Sequence, residues 1–255
     1  MGLKELLKDM AIIEDDLQIS GLALDSRSAL PGNLFFALAG ANQHGLVHVN
    51  QALSKGAIAV VFDPTGVDNL PGIIKQLPKV PFISIEGLGL KLGEIAARFY
   101  GYPSRLMDVI GITGTNGKTS CSQFLGQLLD HCGIIGTLGW GEWGKTHKTV
   151  NTTPDAISVQ HILAELLADK KETVAMEVSS HGLEQGRVNG VNFKGAVFTN
   201  ISRDHLDYHG SMQAYVQSKL ELLKKPGLTF AVINLDDEYS DEILAAVPDS
   251  VTVWG

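Results

Sequence analysis

A short run of glycine, threonine, asparagine and lysine carries the first chemical signal: Gly111-Ile112-Thr113-Gly114-Thr115-Asn116-Gly117-Lys118-Thr119. Gly114 and Gly117 let the backbone curl until successive N–H groups point inward at anionic oxygens. Lys118 has the reach for the outer phosphates of a nucleotide, and Thr119 has the hydroxyl that Mg²⁺ takes in such loops. The spacing departs from the strict phosphate-loop pattern, which has its first glycine where Ile112 stands; here that glycine is one place earlier, at Gly111. A strand-to-helix turn with a surface lysine is the plainer reading. Nucleotide binding is favoured because strand, glycines, Lys-Thr and helix all agree.

Other polar residues stand where apolar runs end. The run Thr173 to Met176 leads into Glu177-Val178-Ser179-Ser180-His181. An acid at that place, downstream of a phosphate loop, is a candidate Mg²⁺ ligand, direct or through water. Alone it would read as a solvated strand end. The run Ala196 to Asn200 leads into Ser202-Arg203-Asp204-His205-Leu206-Asp207-Tyr208-His209. His205 and His209 have the spacing of a helical metal pair, but a zinc site needs further ligands of the right kind. Zinc is rejected, and His205 is kept as a second-metal or phosphate contact. Asn151-Thr152-Thr153-Pro154 reads as a helix cap that could also donate hydrogen bonds to an anionic substrate. Gln185 and Arg187 could form a polar clamp, with the guanidinium suited to a carboxylate or phosphate. Lys219, in a predicted helix, reads as a surface lysine from spacing alone.

The elements that must position these residues alternate. Met107 to Ile112 is a strand feeding the loop, and the helix after it is read from Cys121, Phe124, Leu125, Leu128, Leu129 and Cys132 at helical spacing. Strands are predicted at Gly133–Gly136, Thr173–Val178, Gly195–Ile201, Thr229–Asn234 and Ser250–Val253. Helices are predicted at Asp155–Ala168, Met212–Lys224 and Glu238–Ala246, and Gly139–Gly144 reads as a mobile or hairpin loop. Such alternation implies an α/β fold, a mostly parallel sheet with ligands at the carboxyl ends of its strands. The front of the chain is a smaller α/β region, with strands at Leu34–Leu38, Ile58–Phe62 and Val80–Ile85 and helices at Leu3–Met10, Val47–Lys55 and Leu88–Tyr100. Gly101-Tyr102-Pro103-Ser104 interrupts the pattern, so the domains are drawn at 1–104 and 105–255.

Composition narrows the partners. The 255 residues are 44% hydrophobic and 19% charged, and 20 basic against 28 acidic residues leave −8. A net-negative chain without a basic block is a poor candidate for nucleic acid or an anionic membrane. Both cysteines, Cys121 and Cys132, fall on the same predicted helix and read as small core residues in a reducing compartment. No apolar run is long enough to span a bilayer, and Met1 to Ile13 carries charges where a signal peptide would be apolar. A cytoplasmic monomer is expected.

Together, Gly114-Thr-Asn-Gly-Lys-Thr119, Asn151-Thr-Thr-Pro154, Met176-Glu-Val-Ser-Ser-His181, Gln185-Gly-Arg187 and Thr199-Asn-Ile-Ser-Arg-Asp-His-Leu-Asp-Tyr-His209 resemble the Mur ligases, nearest to those that add the third residue of the peptidoglycan stem peptide. Leu24-Asp-Ser-Arg27, Pro31-Gly-Asn-Leu-Phe35 and Gly56-Ala57 resemble the uridine-nucleotide domain of that family. The resemblance implies ATP-dependent amide-bond formation through an acyl phosphate. It implies that Gly114, Thr115, Asn116, Gly117, Lys118, Thr119 and Ser120 cradle ATP, with Lys118, Glu177, His205 and Lys219 as the catalytic set. Thr119 and Glu177 would hold one Mg²⁺, and Glu177, His205 and Lys219 a second, Lys219 as its CO₂ carbamate. Leu24, Ser26, Ala41, Asn42 and Gln43 match contacts to the uridine nucleotide. Asn151, Thr152, Thr153, Ser179, Gln185 and Arg187 match contacts to the muramoyl-peptide part of UDP-MurNAc-L-Ala-D-Glu. The incoming amino acid would be meso-diaminopimelate or L-lysine.

Members of that family carry a third, C-terminal domain, whereas this sequence stops at Trp254-Gly255. The chain is therefore expected to be a fragment that binds substrate and does not ligate. The alternatives are the D-Ala-D-Ala-adding ligase, a folylpolyglutamate synthetase, a non-catalytic nucleotide-binding module, or a phosphate-loop kinase of a small hydroxyl substrate. Leu-Asp-Ser-Arg and Ser-Ser-His with Gln-x-Arg weigh against the synthetase, and intact Lys118, Glu177, His205 and Lys219 weigh against a decayed module.

Overall fold

Short apolar runs separated by turns form two mostly parallel sheets, one in each of two compact units, Met1–Phe99 and Tyr100–Gly255. The computed structural model describes residues 1–40, 43–67 and 80–255. The expectations for Ala41 and Asn42 lie outside them.

In the first unit, β1 (Gly21–Ala23), β2 (Asn33–Ala37), β3 (Ala59–Phe62) and β4 (Phe82–Ser84) pair in that order, all parallel. β2 and β3 are buried along their whole length, as strands covered on both faces are. Among the described residues the unit also holds helices α1 (Leu3–Leu6), α2 (Val49–Ser54) and α3 (Leu88–Phe99). Val49 and Ala52 of α2 pack with Phe35, Val60 and Phe62. The buried Arg98 of α3 donates to the carbonyls of Leu6 and Lys8, satisfying acceptors left open where α1 ends.

The second unit is built on eight strands. In chain order they are β5 (Asp108–Thr113), β6 (Cys132–Gly136), β7 (Gly139–Glu142), β8 (Lys145–His147), β9 (Thr173–Glu177), β10 (Phe193–Phe198), β11 (Phe230–Ile233) and β12 (Thr252–Trp254). Their spatial order is β12-β11-β10-β5-β9-β6-β7-β8. From β12 to β6 every pairing is parallel; β7 and β8 add an antiparallel hairpin at one edge. The helices are α4 (Lys118–Leu128), α5 (Ala156–Ala168), α6 (Ser180–Glu184), α7 (Leu206–His209), α8 (Met212–Leu220) and α9 (Ser240–Ala246). One core joins Val109, Met176, Phe193 and Ala196 of the sheet to Val159 and Leu163 of α5 and Tyr215, Val216 and Leu220 of α8. The central strands β5, β9 and β10 end side by side, so the turns after Thr113, Glu177 and Phe198 share one edge of the sheet.

Two expectations are corrected here. The helix after the loop stops at Leu128, and Cys132 opens β6 instead of sharing that helix with Cys121. The face of α4 that meets the sheet combines Cys121 and Leu125, packed on Ile112, Cys132 and Ala175, with small residues. Ser122 is buried, and a Cβ on Gly126 would collide with Ile134 of β6. Phe124 and Leu128 fall on the opposite side and are 61% and 78% exposed. The second correction concerns the cap of α5. Asp155 accepts from the amides of Ile157 and Ser158 at 3.1 and 3.0 Å, so the Asn151–Pro154 stretch does not cap the helix. Predicted strand and helix bounds elsewhere differ from the observed ones mainly by frayed ends; the last turn predicted for α8 is a separate 3-10 turn, Glu221–Lys224.

Candidate functional site

β5 delivers the chain to a loop that only glycine can begin. Gly114 has φ +144°, and a Cβ there would collide with the Thr199 hydroxyl that follows β10. Gly117 has φ +85° and starts α4. Gly111 lies inside β5, where a Cβ would meet the Phe193 ring and Leu222 at 2.9 and 3.0 Å. Its place is thus a packing requirement of the strand. The loop is tied to the turn after β10. Thr115 N donates to Asn200 O at 2.7 Å, Asn116 N donates to the Asn200 side chain at 3.1 Å, and Thr199 Oγ1 donates to Asn116 O at 2.6 Å. Asn200 stood inside a quoted motif without a role, and its signal is visible only once β5 and β10 are neighbours.

Glu177 ends β9 facing this loop and is fully buried. Its carboxylate accepts from Thr119 Oγ1 at 2.8 Å, Thr137 Oγ1 at 3.1 Å and the Thr137 amide at 3.0 Å. A Cβ on Gly136 would collide with the carboxylate, so the β6 glycine makes room for it. Thr137 was missed by sequence reading, since nothing marks a lone threonine after a strand. The partners are all neutral. A buried carboxylate held only by hydroxyls and an amide, with Thr119 Oγ1 beside it, offers the hard oxygen donors that Mg²⁺ takes. The donor set fits that ion.

Two lysines converge on one carbonyl. Lys118 Nζ donates to Gly114 O at 2.7 Å and to Thr115 O at 2.9 Å, folding back on its own loop. Lys219 Nζ donates to the same Gly114 O at 2.9 Å and lies 4.4 Å from the centre of the Tyr215 ring. Lys219 is 1% exposed, against its reading as a surface lysine. It sits on the inward face of α8, below the core aromatic Tyr215. Burial and the neighbouring Lys118 charge bring its pKa down to about 7, with Asp204 opposing. Burial also lowers Lys118, against the opposite pull of Glu177 and Asp204.

His205 is the left-handed residue preceding α7, at φ +50°. Its ring packs edge-on against His181 at 4.8 Å and against Tyr215 at 6.2 Å. His209 does not pair with it as ligands of one ion do. Its Nε2 is bonded to Ser180 Oγ at 3.0 Å, and its Nδ1 lies 2.9 Å from Glu184. Among the described residues no group of three His, Cys, Asp or Glu is arranged to hold a metal. Tyr215 links the parts, since its hydroxyl is 3.1 Å from Thr115 Oγ1.

The remaining predicted residues of this unit form a second cluster. Thr152 Oγ1 lies 2.9 Å from Thr137 Oγ1. Thr153 Oγ1 donates to Glu177 O at 3.0 Å and accepts from Ser179 N at 2.9 Å. Ser179 caps α6 through Gly182 N. Arg187 donates Nε and Nη2 to Gln185 Oε1 at 3.0 and 2.6 Å, and Nη1 to Thr153 O at 2.9 Å. Asn151 is exposed beside them.

In the first unit, Leu24 and Ser26 line a cleft of about 560 Å³ with Phe35, Phe36, His48 and Gln51, a volume within the range of small-molecule sites. Ser26 Oγ donates to Gln51 Oε1 at 2.7 Å, and the Gln43 amide lies 2.8 Å from His48 Nε2. Asp25 pairs with Arg27, whose hydrogen bonds hold its carboxyl below the usual range.

Known proteins share this sequence pattern and this fold. The family model described as "Mur ligase middle domain" matches residues 112–254, and "Mur ligase family, catalytic domain" matches 18–100. A UDP-N-acetylmuramoyl-L-alanyl-D-glutamate--2,6-diaminopimelate ligase of Pseudomonas aeruginosa is 50% identical over 93% of this chain and 48% of its own length. The ligase of that name from Coxiella burnetii is 47% identical over 94% of this chain and 49% of its own. A solved structure of a ligase of that name aligns with 99% of this chain and 51% of its own at TM-score 0.81 and 30% identity. A MurF structure from Acinetobacter baumannii, at 22% identity and TM-score 0.67 over 98% of this chain and 52% of its own, shares the fold. The chain spans about half the length of the curated relatives it matches.

Proposed function

The chain belongs to the Mur ligase family, and from that premise we propose that it supplies the nucleotide-binding and acyl-substrate-binding parts of a ligase that extends UDP-MurNAc-L-Ala-D-Glu by one amino acid. The names of its relatives favour 2,6-diaminopimelate over L-lysine as that amino acid, and a cytoplasmic place follows from ATP and a uridine-nucleotide substrate. The observation that carries the reading is the buried Glu177 carboxylate bonded to Thr119 at the mouth of the glycine loop. The first unit, through Leu24, Ser26 and Gln43, takes the uridine nucleotide.

In the reaction, a carboxylate oxygen of the substrate attacks the γ-phosphorus of ATP, ADP leaves, and an acyl phosphate forms. The amine of the incoming amino acid then adds to the acyl carbon, phosphate leaves, and the amine proton goes to solvent or a base. Phosphoryl transfer needs alignment and charge compensation. The N–H groups of Gly117 to Ser120 and the Lys118 ammonium would face the phosphates, while the Thr115 and Asn116 amides are held by Asn200. Lys118 turns to them from its loop carbonyls. Thr119 and Glu177 would hold Mg²⁺, which when bound would supply positive charge to the phosphates. Arg187, braced by Gln185 and Thr153, holds a carboxylate of the substrate. Lys219 becomes an oxygen ligand only as a carbamate: its neutral amine bonds to the carbon of CO₂ and releases one proton. A pKa near 7 keeps a large neutral fraction available for that step. His205 stands on the same side through Tyr215.

Calorimetric titration with UDP-MurNAc-L-Ala-D-Glu, with UDP-MurNAc-tripeptide as control, tests the reading. Saturable binding that prefers the dipeptide form and weakens in Arg187→Ala is expected. Equal binding of both forms, or none by the folded chain, overturns it.

A further inference from the structure

We propose that the Tyr208 hydroxyl is a further substrate-binding donor, acting beside Arg187 on a carboxylate of the acyl substrate; the inference rests on the acyl-substrate reading of that cluster. It follows from the direction of a hydrogen-bond chain. A guanidinium has donors only. Arg187 places two of them on Gln185, at 3.0 and 2.6 Å, so the atom of Gln185 that meets them is the amide oxygen. The other end of the same amide is then NH₂, which only donates, and it lies 3.0 Å from Tyr208 Oη. The phenol oxygen must accept. Its own hydrogen is left over, and among the described residues no acceptor is bonded to it.

The phenol is held in place while its hydrogen remains free. Its ring packs against His181 at 4.1 Å between centroids and against His209 at 4.9 Å. His209 is in turn fixed by Ser180. The residue is 43% exposed, so the hydroxyl faces solvent and not core. Arg187 also keeps spare donors, since Nη1 spends one hydrogen on Thr153 O and Nη2 one on Gln185. One amide therefore orients a cation and a neutral O–H donor on either side of itself. Such a pair recognises an oxygen anion with one charge-balancing partner and one directional donor. The Gln185 polarity makes the pair unsuited to a cationic or donor-rich ligand.

Tyr208→Phe removes the hydroxyl and leaves the ring stack on His181. Titrations of wild type and variant with UDP-MurNAc-L-Ala-D-Glu, with UDP-MurNAc-L-Ala and with ADP give the test. The dissociation constant for the D-Glu form is expected to rise roughly tenfold, as for one hydrogen bond to a charged acceptor. Binding of the shorter muramoyl nucleotide and of ADP is expected to stay unchanged. No change with the D-Glu form, or the same loss with both muramoyl nucleotides, overturns the assignment and makes Tyr208 a packing residue. A wild-type chain that does not prefer the D-Glu form overturns the acyl-substrate reading itself, which separates the two failures.

Discussion

Replacing Lys219 by methionine is expected to stabilise the second unit at neutral pH, and the gain is expected to fade as the pH rises. The amine is buried, and its pKa falls from 10.5 in the unfolded chain to about 7. The folded value lies below the unfolded one, so between the two the unfolded chain holds the extra proton. Folding is penalised most below about pH 7, and the penalty vanishes only above 10.5. With about 1.4 kcal/mol per pKa unit, the penalty is about 4 kcal/mol at pH 7 and about 2 at pH 9. Methionine fills a similar volume and carries no charge. It forfeits the bond to Gly114 O and the contact with the Tyr215 ring, each worth about 1 kcal/mol. Gly114 O is not orphaned, because Lys118 still donates to it. The net gain is then about 2 kcal/mol at pH 7 and near zero at pH 9. The forfeited contacts shift both values equally, so the difference of about 2 kcal/mol between the two pH values rests on the titration alone. Urea unfolding followed by tryptophan fluorescence reports this unit selectively, since Trp140, Trp143 and Trp254 all lie in it. Buffers free of CO₂ and Mg²⁺ keep the amine unmodified. A stability gap between Lys219→Met and wild type that is the same at pH 7 and pH 9 would refute the reasoning.

Three further perturbations address the other parts. Gly114→Ala puts a Cβ into the Thr199 hydroxyl at φ +144°, so equilibrium binding of ATP should fall at least about tenfold; retained affinity would mean that the loop does not cradle phosphate. Glu177→Gln keeps the size and removes the charge. The tightening of ADP binding by Mg²⁺ should shrink by roughly tenfold or more, and an unaltered Mg²⁺ effect in that titration would remove Glu177 from the metal site. Ser26→Ala deletes the donor to Gln51 and should weaken binding of UDP about fivefold, from one hydrogen bond of about 1 kcal/mol, without moving ATP affinity; a parallel loss of ATP affinity would point to a folding defect instead.

The parts of this molecule that were legible in the sequence are those whose chemistry is local. Gly114 to Thr119 announce a phosphate loop because curling, charge and hydroxyl are all contributed within a few residues. Glu177 was legible because a strand end is local too. The status of Lys219 was not. Its burial is decided by α8 lying across the carboxyl end of β5, a contact between residues far apart in the chain, and a lysine on a short helix gives no local sign of that. Thr137 and Asn200 were hidden for the same reason, since each becomes a partner only after strand order brings β6 beside β9 and β10 beside β5. The reverse error arose at α4. Phe124 and Leu128 satisfied a helical apolar period, yet the sheet is approached through Cys121, Ser122, Leu125 and Gly126. Periodicity located the helix and Cys121 and Leu125 on its inward side, but counted the exposed Phe124 and Leu128 with them, because the rest of the contact is made by small residues.

Thr153 explains why the two clusters of the second unit must act in register. Its side chain is buried and joins the end of β9 to the capped start of α6, through Glu177 O and Ser179 N on either side of Val178. Its carbonyl holds Arg187. The carboxylate assigned to the metal and the guanidinium assigned to the acyl substrate are thus attached to one residue that cannot rotate without breaking three hydrogen bonds. An in-line attack of one bound oxygen on one bound phosphorus tolerates misplacement of well under about 1 Å. Held by separate loops, the two groups would drift independently; fixed to one buried threonine that precedes α5 and bonds to the end of β9, they move together. With the α5 cap carried by Asp155, two residues on, the Thr153 hydroxyl is free for its bonds to Glu177 O and Ser179 N.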